Sequence, residues 1–346
     1  MPANPIARHP AWRQILIVAI AGPVLIALVF TAFAWPTART APHDLPVGLV
    51  ATGTAGSTIA PALDAAGFAV HRYSNRAEAT EAIEHRDIYA AVVAASGGTT
   101  VLTASAAAPA VATQFATAAS ALAQGPVRVV DVVPLSPNDP RGAVLASAAL
   151  PLVFGGMIIA VLVALVLGMR PTWRMLAALV IVSATTGLAA YLIAESWLGV
   201  LPGEHLWTWA ALTLTVLAIS SAVAGLYELV GIPGVGMGSI LMLFLGNPFS
   251  GITSAPELLP SGVAAIGQWL PPGAGANLLR STAYFHGHGA AGHATVLVCW
   301  VVAGMTAVVV GHARQARGLA DPIAQAPGRH EAAAGRLSVD NLAAQG

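Results

Sequence analysis

The chain has 346 residues, of which 56% are hydrophobic and 9% charged, and its formal net charge is zero. A water-soluble domain carries about 25% charged residues, so a mean hydropathy of +0.74 excludes a chain whose whole surface faces water. Balanced charge offers no footprint for nucleic acid, the lack of any lysine removes the residue a P-loop ATPase sets on its nucleotide, and the single cysteine, Cys299, permits no intrachain disulfide.

Charge is also unevenly placed: residues 36–142 hold fourteen of the thirty Asp, Glu and Arg, and the longer stretch 143–313 holds seven. That asymmetry divides the chain into 1–35, a wet region 36–142, a lipid region 143–313 and a tail 314–346. A helix needs about 20 apolar residues to cross the hydrocarbon core, at about 1.5 Å per residue. The first such run, 15–35, contains Gly22 and Pro23 and ends at Trp35 without a small-residue cleavage site, so it reads as a retained anchor helix. The preceding stretch 6–14 reads as interfacial.

Residues 44–135 alternate strand and helix patterns. The order read is β-α-β-α-β-β-α-β, with Gly53, Gly56 and Gly67 as stops and Asn75 with Glu78 as a capping-box start. This predicts a small mixed sheet with helices packed on it. The charged face of the helix over 76–87 reads as a solvated surface.

Four more long apolar runs follow at 145–167, 175–194, 207–230 and 294–312, with a shorter Gly/Pro-rich run at 235–249. Arg8 and Arg13, Arg170 and Arg174, and Arg314 and Arg317 flank spans on what is then one side, the cytoplasmic one. With both termini cytoplasmic, six transmembrane helices are required and 36–142 becomes an extracytoplasmic α/β domain inserted between the first and second. Trp12, Trp35, Trp173, Trp197, Trp207 and Trp269 fall near the expected interfaces, where an amphipathic indole belongs. The fold class expected is therefore an α-helical multi-pass protein of the cell membrane, with the lipid bilayer as its first partner.

Within the spans, Glu228 is a carboxylate at the inner end of the fourth. Insertion of such a group at mid-bilayer costs about 2.5–3.5 kcal/mol, which makes it a substrate-path candidate. Ser220 and Ser221 are expected to bond helix carbonyls. The segment "GIPGVGMGS" reads as a helix start that permits close packing. His286, His288 and His293 lie in a glycine-rich loop with no carboxylate close by, and no metal site is assigned to them. No catalytic residue and no cofactor is assigned either.

The segment 246–285 carries the most specific pattern: a Gly/Pro-rich break (Gly246, Pro248, Gly251), a Pro-Glu-x-x-Pro turn (Pro256, Glu257, Pro260), a short helix ending at Trp269, a Leu-Pro-Pro turn (Pro271, Pro272) and an Asn-x-x-Arg helix start (Asn277, Arg280). It resembles the C-terminal signature of the type-2 ABC exporter permeases and the related phage-infection-protein family, whose layout of one span, a large external domain and five further spans also fits. The resemblance implies a permease subunit moving an amphipathic substrate, a separate ATP-binding subunit, and a homo- or heterodimer. Glu257, Asn277 and Arg280 are then further substrate-path candidates at the outer mouth, Glu257 and Arg280 as a pair.

Physically the segment reads as a re-entrant hairpin, since non-helical backbone at membrane depth must be buried in protein or line a wet cavity. The links expected on the cytoplasmic side, "GMRPTWR" and "VGIPGVG", are short for docking an ATPase. The alternative reading is a non-transporting membrane protein whose external domain binds an envelope or phage partner. The tail 314–346 reads as disordered.

Overall fold

The computed structural model describes residues 11–324 apart from 52–53, 96–97, 124 and 169. The expected interfacial stretch therefore lies largely outside the described residues, as does the tail beyond 324.

Among the described residues, five helices are long and apolar enough to cross a membrane. They are α1 (Ala11–Ala38), α5 (Ala143–Leu167), α6 (Thr172–Tyr191, prolonged by a π-helical turn Leu192–Trp197), α7 (His205–Val230) and α11 (Ala290–Ala324). Each matches an apolar run read from the sequence. Alpha-11 continues to Ala324, well into the stretch expected to be disordered. The short run becomes α8 (Ile232–Ser239) and a π-helical stretch Ile240–Gly246, too short together to count as a sixth long helix.

Helix α7 is the axis of the bundle, with α5, α6, α8, α10 (Pro271–Tyr284) and α11 all packed on it. Backbone contact with α11 depends on glycine: a Cβ on Gly304 would lie 2.5 Å from the Ser221 backbone, and one on Gly225 2.6 Å from the Gly304 carbonyl. Small residues at such crossings let helices approach closely in lipid, where no hydrophobic force draws them together. The two serines bond helix carbonyls as expected, Ser220 to Leu217 and Ser221 to Ala218. In α8, Gly234 and Gly238 give the close packing on α7 that "GIPGVGMGS" suggested.

By contrast α1 stands apart, touching Ile240–Gly246 and leaving Trp12, Leu16, Val18, Ile26 and Phe30 each more than half exposed. So much apolar side chain on one isolated helix is untenable in water and suits a bilayer.

Between α1 and α5 lies a five-stranded sheet of order β2-β1-β3-β4-β5, built from β1 (Leu45–Ala51), β2 (Phe68–Arg72), β3 (Ala90–Ala95), β4 (Gly98–Thr103) and β5 (Val127–Asp131). All pairings are parallel except that of β3 with β4, which is antiparallel. Helices α2 (Thr54–Ala65), α3 (Arg76–Glu84) and α4 (Pro109–Leu122) complete it. Asn75 caps α3, its Oδ1 accepting the Glu78 N–H at 3.0 Å, while the return bond of the box is shifted by one residue, Glu78 Oε2 accepting the N–H of Ser74 at 3.1 Å.

Strand side chains alternate between two cores. One face packs Leu45, Val47, Phe68, Val101 and Phe115, and it admits Ala255 and Leu258 from the segment after α8. The other packs Ile83, Ala91 and Leu102, and it admits Phe285 from the end of α10. The sheet region is thus held from both faces by the C-terminal half of the chain.

Candidate functional site

The segment 246–285 meets the sheet region at a polar junction. After Gly246, which packs against the Pro272 ring, the chain turns at Pro248 and Gly251, the latter at φ +66°. A single 3-10 turn, Pro256–Leu258, then presents Glu257. Here the backbone pairs with the chain leaving α1: His43 N–H donates to the Glu257 carbonyl at 2.9 Å, and Ala41 N–H to that of Leu258 at 3.0 Å.

Pro260 precedes α9 (Ser261–Trp269), which ends at Leu270 in extended conformation, as the residue before a proline prefers. Pro271 and Pro272 open α10, where the missing N–H groups cost nothing. The bend is pinned by Trp300 of α11, whose indole N–H donates to the Trp269 carbonyl at 2.8 Å. Gly267 is indispensable to the fold-back, since a Cβ there would sit 1.7 Å from the Phe249 carbonyl oxygen. Every residue of α10 from Pro271 to Ala283 is buried. Fourteen residues reach only about 21 Å, so α10 is a core helix too short to traverse a bilayer.

Around this pair of helices the structure brings together Glu257 of the 3-10 turn with Asn277 and Arg280 of α10, and adds Arg86 and Tyr89 from the sheet region, Gln268 of α9 and Ser281 of α10. The Arg86 guanidinium donates to Asn277 Oδ1 at 3.0 Å, to the Asn277 carbonyl at 3.0 Å and to Ser281 Oγ at 2.6 Å, and lies 5.3 Å from the Phe285 ring centre. Asn277 Nδ2 donates onward to Gln268 Oε1 at 2.7 Å, and Gln268 Nε2 to the Ser250 carbonyl at 3.0 Å. Tyr89 donates to Glu257 Oε2 at 2.7 Å. Arg280 donates to the Ile252 carbonyl, and its Nη1 is buried without a protein partner.

The expected Glu257–Arg280 pair is absent: among the described residues no ion pair joins them. Each side chain meets a nearer polar group first, the carboxylate the Tyr89 hydroxyl and the guanidinium a backbone carbonyl.

Burial lowers the Arg86 pKa, an effect that Tyr89 and Glu257 oppose. Burial first, and then the Glu257 charge, push the Tyr89 pKa well up, so the hydroxyl keeps its proton and donates. A cavity of about 260 Å³ lies at the junction, with Arg86, Tyr89, Glu257, Gln268, Asn277 and His293 in its wall. His288 instead stacks on His85, ring centres 4.2 Å apart, and no cluster suited to a metal ion occurs among the described residues.

Arg86, the key to the junction, was hidden in the charged helix read as a solvated face. One local signal marks it. It follows the His85 C-cap at φ +67°, the left-handed position where helices usually end on glycine. A non-glycine residue held there points to a tertiary anchor.

Glu228 is not part of this junction. At the opposite end of α7 it is 3% exposed and faces α11. Gln315 Nε2 donates to its carbonyl at 2.9 Å and to Oε2 at 3.3 Å, and His312 Nδ1 stands 3.8 Å from Oε2.

Comparison with family models, curated proteins and solved structures finds no match for the chain.

Proposed function

We propose that the chain is the permease subunit of an ABC-type exporter of the cell membrane. The broken helix α8 with its continuation supplies a sixth crossing, the sheet region lies outside the cytoplasm, both termini lie inside, and α9–α10 form a re-entrant hairpin. In this reading two such subunits, alike or different, carry an amphipathic substrate outward with energy from a separate ATPase. Support comes from the 246–285 pattern and its resemblance to the type-2 exporter permeases.

The single observation that carries the reading is the Arg86 grip on Asn277 and Ser281. It ties the external region to the re-entrant pair, so a movement of α10 during transport is passed to the sheet, and the converse. Affinity purification of the full chain from its native membrane tests it. An ATP-hydrolysing subunit is expected to co-purify, and Arg86→Glu to leave that assembly intact while abolishing substrate-stimulated hydrolysis. Absence of any such subunit, with export unchanged in a deletion strain, sinks the proposal.

One observation favours a second reading. Helix α5 ends at Leu167 and α6 resumes at Thr172, and Gly231 alone separates α7 from α8. Among the described residues, neither link holds a helix on which an ATPase would dock. A non-transporting membrane protein whose external region binds an envelope or phage partner needs no such helix. Stable capture of an envelope component by the full chain, with no nucleotide hydrolysis, would decide for it.

A further inference from the structure

A second cavity, of about 460 Å³, opens on the flank of the bundle between α5 and α6, at the end nearest the sheet region. Leu152 of α5, Leu212 of α7 and Leu279 of α10 form its floor, and Ala148 and Ala190 leave the room that larger side chains would fill. Pro151, Ala189 and Ile193 in its wall are exposed on the outer surface of the bundle, so the mouth is lateral.

Of the polar side chains in the wall, three already hold backbone partners. Asp139 accepts the Ala143 and Val144 N–H groups at 2.8 Å each, Ser147 donates to the Val144 carbonyl, and Tyr284 donates to the Val200 carbonyl at 2.6 Å. A water molecule needs two to four polar partners, and apolar cavities without them stay dry.

We infer that this cavity holds one acyl chain of a bilayer lipid, entering sideways between α5 and α6. The occupant follows from the surroundings: both flanking helices are long and apolar enough to cross a membrane, so the medium at the mouth is hydrocarbon. Size agrees. An apolar cavity of about 150 Å³ takes a benzene-sized guest, and in proportion this one has room for a chain of roughly sixteen to eighteen carbons. The headgroup stays outside, beside the N-terminal turn of α5. The inference requires α5 and α6 to lie in lipid and does not require transport, so a chain with no ATPase partner leaves it standing.

The full chain in vesicles of phosphatidylcholine with a diazirine on one acyl chain provides the test, with photolabelled residues mapped by mass spectrometry. Leu212 and Leu279, 4% and 5% exposed, are out of reach of lipid on the outer surface, whereas Leu165 is 70% exposed and faces outward. Labelling of Leu212 and Leu279 is expected, falling at least tenfold in Ala148→Trp with Leu165 labelled as before. Should Leu165 labelling change too, Ala190→Phe supplies the same occlusion from α6. Unlabelled Leu212 and Leu279, labelling that persists in a correctly folded filled variant, or labelling by a free diazirine fatty acid alone overturns the assignment.

Discussion

Arg86 reaches across 191 positions of sequence to grip Asn277 and across 195 to grip Ser281, with three donated bonds in all, whereas at the other end of the bundle Glu228 meets His312 and Gln315 of the adjoining α11. Both sites hold an ionisable side chain within the fold, Arg86 half-buried and Glu228 fully buried. The first surrounds its cation with neutral acceptors arranged in a relay, Arg86 to Asn277 to Gln268 to Ser250. The second leaves a carboxylate with one marginal donor and an imidazole 3.8 Å away, beyond ordinary hydrogen-bond reach. The difference teaches which polar group binds regions together and which is merely accommodated. Apolar contacts agree, since Leu258 and Phe285 enter the two cores of the sheet region.

The largest effect that would break this comparison is expected from Arg86→Ala. It strips donors from two Asn277 oxygens and from Ser281 Oγ. Hydrogen bonds to charged groups contribute about 1.5–3 kcal/mol each and do not add, so a loss of about 3 kcal/mol is expected in thermal unfolding of the bilayer-reconstituted chain. Amide exchange in α10 should rise with it. A loss below about 1 kcal/mol would remove the junction's claim to hold the two regions together.

How much of this was legible in the sequence follows from the range of each interaction. The long apolar helices, the succession of strands and helices along the chain and the Asn75–Glu78 cap depend on periodicity or on neighbours three or four residues apart, and they could be read directly. So could the breaks at Gly246, Pro260 and Pro271, because proline and glycine act on the local backbone. Arg86 could not, since its partners lie in another element and its helix looks like any solvated one. Glu257 and Arg280 both lie at the junction, but opposite charge suggested a pairing that the fold replaces with Tyr89 and Ile252. Leu258 and Phe285 were invisible for the same reason: a side chain that inserts into a distant core breaks no local rule.

A smaller effect sharpens the junction. Tyr89→Phe removes the bond donated to the half-buried Glu257 Oε2, and one such hydrogen bond contributes about 0.5–1.5 kcal/mol net. The pH dependence has a definite sign. Folding raises the hydroxyl's pKa above 10.0, chiefly through burial and then through Glu257, so the folded chain holds this proton more tightly than the unfolded one. The associated stability is complete below pH 10 and is lost as pH rises beyond it. Wild type should therefore converge on Tyr89→Phe as pH climbs above that value. Parallel curves through the alkaline range would mean that the hydroxyl donates nothing of consequence to Glu257.

The smallest effect is expected at the far end, from Glu228→Gln. The amide keeps the carboxyl's shape and an oxygen that accepts from Gln315, and Gln315 keeps its stronger bond to the Glu228 backbone carbonyl at 2.9 Å. His312 Nδ1 stands 3.8 Å from the same Oε2, so with the amide oxygen kept there the new N–H₂ takes the place of Oε1 and gives the imidazole no donor. Loss of a desolvated charge acts in the variant's favour, against a weak interaction with the imidazole. Thermal unfolding should therefore shift by no more than about 0.5 kcal/mol, the range of substitutions that disturb no network. A loss above about 3 kcal/mol would instead reveal a paired buried ion. Glu228 with His312 would then stand beside Arg86 with Asn277 as a second binding contact, and the distinction between the two ends would dissolve.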